Sequence, residues 1–167
     1  GIVVELDIDK DFKKYEEYGP LRGLEFQKDL EKISYYAGGR SQTAPAQRVT
    51  DFVEGKLSTN LNDCSYQPGL KSAPLHSLLP KIIGSRLRKG FKEFGKKMNG
   101  YYTEQANIVG VESRTSSPIN IPRNINLEHI NIKGLFPCGE GGGYAGGIVS
   151  AAMDGERCAE AAIKILE

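Results

Sequence analysis

Gly134-Leu135-Phe136-Pro137-Cys138-Gly139-Glu140-Gly141-Gly142-Gly143-Tyr144-Ala145-Gly146-Gly147-Ile148 is the stretch on which the reading of this chain turns. Six of the nine residues from Gly139 to Gly147 are glycine. Ordered glycine loses more backbone entropy than any other residue, so such a cluster implies a return: positive φ angles, or close approach of the backbone to a ligand. The apolar run from Ile130 to Cys138 predicts a strand before the cluster. After it, Ile148, Ala151, Ala152, Gly155, Ala159, Ala162 and Ile163 share one side at helical spacing. Most are small, which suits close packing on a sheet. The N-terminus of that helix would present free N–H groups and a partial positive charge over the turn, a place for a phosphate, a carbonyl oxygen or an anionic ring.

Gly141, Gly143 and Gly146 also spell G-x-G-x-x-G between strand and helix. The dinucleotide fingerprint needs a second strand after that helix, with an acidic residue about 20 positions on. None follows before Glu167. The stretch is therefore either a closing βα element or an accidental match, and not the opening of a complete βαβ unit.

Working outward, the alternation of Ile2, Val4, Leu6 and Ile8 predicts an opening strand. Its start at Gly1, without Met, suggests a piece of a longer protein. Phe26, Leu30, Ile33 and Ala37 form a helical stripe over residues 21–36, stopped by Gly38-Gly39. Pro45 is expected to open a short helix carrying Ala46, Val49 and Phe52. Residues 56–71 read as loop. Pro74 and Pro80 mark two further helix starts, the second carrying Ile83, Leu87, Phe91, Phe94 and Met98 on one face. Ala106–Val111 and Ile119–Ile121 are expected strands. The sum is an α+β chain: a helix-rich region over residues 1–105, then a returning segment over 106–167 that ends in strand, turn and helix.

The composition is that of an ordinary globular chain, 39% hydrophobic and 26% charged. A net charge of +1 makes no global case for nucleic acid or membrane binding. Three widely spaced cysteines (Cys64, Cys138, Cys158) and two distant histidines (His76, His129) argue against a disulfide framework and against a metal site. No apolar run nears the roughly 20 residues that span a bilayer, and the cytoplasm is the expected compartment.

Three runs together resemble a known family: Gly134 to Gly155, Ala44-Pro45-Ala46-Gln47-Arg48-Val49-Thr50-Asp51-Phe52, and Val111-Glu112-Ser113-Arg114-Thr115-Ser116-Ser117-Pro118. They resemble the C-terminal portion of bacterial FAD-dependent dehydrogenases of poorly defined function. The resemblance implies that the parent protein carries FAD on an N-terminal Rossmann half, absent from this chain, and inserts a substrate or cap region (1–105). The chain would then return over 106–167 to complete the flavin domain. It implies an oxidoreductase that exchanges electrons with a nicotinamide nucleotide and an unidentified small molecule, with the fragment alone inactive. It also implies a cofactor site at Gly139, Glu140, Gly141, Gly142, Gly143, Tyr144, Ala145, Gly146, Gly147, Ile148 and Arg114. In that site Glu140 would meet the ribityl chain, and Tyr144 and Ala145 would line the ring. The N–H groups from Gly146 to Ile148 would face the pyrimidine end of the flavin.

A rival of another class rests on Lys81, Arg86, Arg88, Lys89, Lys92, Lys96 and Lys97, opposed on their helix only by Glu93. That face suits nucleic acid or an anionic surface, or is simply a solvated face. Elsewhere the plainer readings are preferred. Gln47 and Arg48 are expected on a helix surface, Cys138 as a buried inert thiol, and the histidines as surface or capping residues. Ser113, Arg114 and Thr115 read equally as a ligand-facing loop and as a solvated turn.

Overall fold

The computed structural model describes residues 1–114 and 116–166. A three-stranded mixed sheet is built around β1 (Ala44–Arg48), which pairs parallel with β2 (Leu70–Ser72) and antiparallel with β3 (Asn107–Val109). The register sets Ala46 opposite both Ser72 and Val109. The helices are α1 (Ile8–Asp11), α2 (Arg22–Ala37), α3 (Val49–Glu54), α4 (Leu75–Leu78), α5 (Lys81–Lys97) and α6 (Ile148–Leu166). The architecture is α+β. No helix among the described residues is long and apolar enough to cross a membrane.

Chain contacts divide the protein into two units, one of residues 1–13 and 26–113, the other of 14–25 and 114 onward. In the first, α3, α4 and α5 pack beside the sheet. The core joins Leu30, Val49, Phe52, Val53, Leu75, Leu79 and Phe91, with Phe52 and Phe91 edge to face at 6.1 Å. The stripes expected of α2 and α5 supply Leu30 and Phe91, while Ile33 and Met98 stay exposed.

Two expectations here are corrected. Pro45 lies in β1, and the helix starts only at Val49. Pro45 pairs with Lys71 of β2, where its neighbours carry the bonds (Ala44 N–H to Gly69 O, Ala73 N–H to Ala46 O). Toward β3 it lies beyond the last pair, its carbonyl accepting from Gly110, so the missing N–H falls at the end of that ladder. The opening strand does not form. Residues 1–7 carry no regular structure, Ile2 and Val3 are exposed, and the Glu5 carbonyl is held by Arg86 at 2.6 Å.

With β1 in the sheet, Gln47 is completely buried instead of lying on a helix surface. Its neighbour Arg48 is tied down by Ser58, which is 2% exposed. Ser58 Oγ accepts the Arg48 N–H at 2.8 Å and donates to Asp51 at 2.7 Å. Ser58→Ala should leave the part-buried Arg48 N–H and an Asp51 oxygen without this partner and lower stability by about 1–3 kcal/mol, measured by urea unfolding.

Candidate functional site

The glycine stretch is a succession of turns closed by its own backbone. Gly142 N–H bonds Cys138 O, Gly143 N–H bonds Glu140 O, and Tyr144 N–H bonds Gly139 O. Gly139 and Gly143 have φ of +66° and +83°, values that side chains disfavour. A Cβ on Gly142 would lie 3.0 Å from the Cys138 backbone, and one on Gly143 only 2.6 Å from the Ile119 carbonyl oxygen. These glycines are required by the tightness of the turn. At Gly141 and Gly146 a Cβ would meet nothing within 4 Å, so the chain itself does not explain glycine there.

The segment before the turn departs from expectation. No strand forms over residues 130–138 or 119–121. Ile130, Ile132 and Leu135 are exposed, and local side-chain bonds replace the ladder. His129 Nδ1 accepts the N–H groups of Asn131 and Ile132, both at 3.0 Å, and Glu128 accepts that of Gly134 at 2.7 Å. A strand exists only by pairing, and the second unit contains no named strand among its described residues.

A clamp that the sequence reading did not find holds the turn. Arg123 meets Asp154 in a two-point ion pair, 2.7 and 3.0 Å, with both side chains about nine-tenths buried. Asp154 also accepts the Gly139 N–H at 2.9 Å, at the head of the turn. Arg123 also donates to Pro137 O and lies 3.6 Å from the centroid of the Tyr144 ring. Tyr144 donates its hydroxyl to Ile121 O at 2.8 Å, and Asn120 donates to Gly143 O at 3.1 Å. A single residue pair thus ties the head of the turn and its Tyr144 to α6. The Arg123 guanidinium, and next the Gly139 N–H, hold the Asp154 carboxyl below the ordinary carboxylate range, against the opposing effect of burial.

For a carboxyl lowered in this way, the stabilisation is complete above its unfolded value, about 3.9. It is lost as pH falls through the lower folded value. Wild-type protein should therefore lose stability on acidification below about pH 4, and Asp154→Asn should flatten part of that slope in melting curves across pH.

Asp154 also changes which face of α6 is covered. The buried residues there are Asp154 and Cys158, with Ala151, Gly155, Ala161 and Ala162 half-buried. On the face expected to be covered, Ile148 is 92% exposed and Ile163 is 56% exposed, and Val149 beside it is 72% exposed. Cys138 is exposed, not buried, and Cys158 is the buried thiol, its pKa pushed up by burial.

At the start of α6, Ser150 Oγ accepts the Gly147 N–H at 3.2 Å. The N–H groups of Gly146, Ile148, Val149 and Ser150 have no partner among the described residues. Glu140 is exposed, and its carboxylate likewise has no partner among the described residues. Ala145 is half-buried. Arg114 is exposed, Ser113 is bonded to Glu31 at 2.8 Å, and Thr115 lies outside the described residues. Among the described residues no group of three or more His, Cys, Asp and Glu side chains is placed to hold a metal ion.

The rival basic face is partly engaged. Arg86 pairs with Asp11 at 3.2 Å and Lys96 with Glu93 at 2.7 Å, while Arg88 turns inward over the Phe52 ring.

Comparison with known proteins adds two findings. An uncharacterized protein of Clostridium beijerinckii is 45% identical over 143 residues, which are 84% of this chain and 27% of the relative. The chain thus spans about a quarter of that relative's length. The family model described as "FAD-dependent protein, C-terminal domain-like" matches residues 1–115, ending before the glycine turn. With more than half its length matched, the chain belongs to the FAD-dependent protein, C-terminal domain-like family.

Proposed function

We propose that this chain contributes the flavin-ring side of an FAD site in a longer oxidoreductase, together with part of its substrate region. The observation that carries the reading is the open start of α6. The N–H groups of Gly146, Ile148, Val149 and Ser150, without partners among the described residues, lie beside Gly146, whose missing side chain leaves free space. Family membership supplies the cofactor class.

The residues fit such a group. A ring edge bearing oxygen and nitrogen acceptors takes the N–H groups of Gly146, Ile148 and Val149, and the helix start favours negative charge there. Glu140 offers an acceptor for a hydroxyl of the connecting chain. The Arg123–Asp154 clamp holds these groups in place before the cofactor arrives, which is the preorganisation that electrostatic stabilisation requires. FAD, when bound, supplies the hydride chemistry. The exposed Ile148, Val149 and Ile163 give the remaining part of the flavin domain an apolar surface to cover. That remaining part, a nicotinamide nucleotide and a small-molecule substrate are the partners of this reading.

Gly146→Leu tests it. The substitution meets open space, so stability should change by no more than about 0.5 kcal/mol. In the longer protein the dissociation constant for FAD, followed by flavin fluorescence, should rise by at least about tenfold. Unchanged affinity would remove Gly146 from the cofactor site.

A further inference from the structure

The first unit holds a cavity of about 320 Å³ at the start of α5, lined by His76, Ser77, Lys81, Ser85 and Arg88 with Leu79 and Gly84. Its lining contains cationic and hydroxyl side chains and no carboxylate. Lys81 is exposed, and its ammonium has no partner among the described residues. Arg88 spends one nitrogen on His76 O at 3.1 Å, and its Nε is buried without a partner. No carboxylate is paired with this guanidinium among the described residues. A partly buried cation with unspent donors and no counter-charge is costly to hold unless an anion compensates it.

His76 adds a donor, with the tautomer that its nearer contact to Gln47 favours. The buried Gln47 amide donates through Nε2 to Lys56 O at 2.6 Å, and its Oε1 accepts the His76 N–H at 2.8 Å. Those two obligatory partners set which end of the amide is nitrogen. His76 Nδ1 then lies 2.9 Å from Gln47 Nε2 and 3.2 Å from Oε1, and the shorter contact makes Nδ1 the acceptor. The ring proton is left on Nε2, the nitrogen with no partner among the described residues. Burial first, and the Arg88 charge second, hold His76 below the ordinary histidine pKa, so at neutral pH it is a neutral donor. The 17-residue helix α5 starts at the same place with Pro80 as an N-cap that makes no side-chain bond.

We propose that this cavity binds the anionic oxygen group, phosphate or carboxylate, of a small molecule. Lys81 and Arg88 provide the charge and His76 Nε2–H a directional donor. The volume suits a small ligand and not a polymer, at the lower end of the roughly 300–1,000 Å³ typical of such sites. The site lies wholly within the first unit and does not depend on the flavin reading.

The test is titration of the whole chain, at fixed ionic strength balanced with chloride, with inorganic phosphate in one series and succinate in another. Melting temperature and calorimetric heat are the readouts. At least one oxyanion should bind saturably. Lys81→Gln and Arg88→Gln should each weaken it by about tenfold or more, and Lys97→Gln should leave it unchanged. Saturation by phosphate alone assigns a phosphate ligand, and saturation by succinate alone a carboxylate. No saturation beyond chloride, or wild-type affinity in Lys81→Gln, overturns the proposal. Lys81 is exposed, so that variant keeps the test decisive even if Arg88→Gln misfolds.

Discussion

Asp154→Ala is expected to lower stability by about 3–5 kcal/mol, the usual cost of removing one partner from a buried ion pair. The loss has two sources. Arg123 keeps its charge, about nine-tenths buried, with only Pro137 O, the Cys158 thiol and the Tyr144 ring among the described residues to compensate. The Gly139 N–H loses its acceptor at the head of the turn. The effect should appear as a lower urea midpoint for the 114–166 segment. The double variant Arg123→Met, Asp154→Leu should recover much of the loss, because an apolar pair leaves no buried charge behind. A wild-type midpoint in Asp154→Ala would show that the clamp does not hold the turn.

Gly143→Ala should cost about 2–4 kcal/mol from two additive sources. The backbone at φ +83° carries a penalty for any side chain, and a Cβ 2.6 Å from the Ile119 carbonyl forces neighbouring backbone to shift. That shift would loosen the Asn120 bond to Gly143 O and the Ile121 bond to Gly142 O. Gly141→Ala, two residues away in open space, should be nearly neutral for folding. Equal stabilities for the two variants, by thermal melting, would contradict the division of this cluster into glycines required by the turn and glycines left free for a ligand.

Periodicity made α2, α5 and α6 legible, since an apolar stripe at 3.6-residue spacing is a local property of the chain. Gly38-Gly39, Pro74 and Pro80 marked helix boundaries for equally local reasons. Pro45 misled because proline reads as a helix opener, and its tolerance in β1 depends on where pairing with β3 stops, which is a tertiary fact. The strand expected over 130–138 failed for a related reason. Its apolar residues are real, but strand formation requires a neighbour, and local bonds from His129 and Glu128 take the backbone instead. The turn was visible in its glycines, yet the clamp was not. Arg123 and Asp154 lie 31 residues apart with no pattern linking them. The available signal was an aspartate among the small residues of α6, which rotates the buried face and leaves Ile148 and Ile163 uncovered.

The most direct measurement is the visible absorption spectrum of the longer protein that contains this chain, purified without added cofactor. A flavin spectrum that survives dialysis, and that fades when Gly146 or Gly147 is replaced by leucine, is the predicted result. A colourless protein that takes up no added FAD would contradict the account.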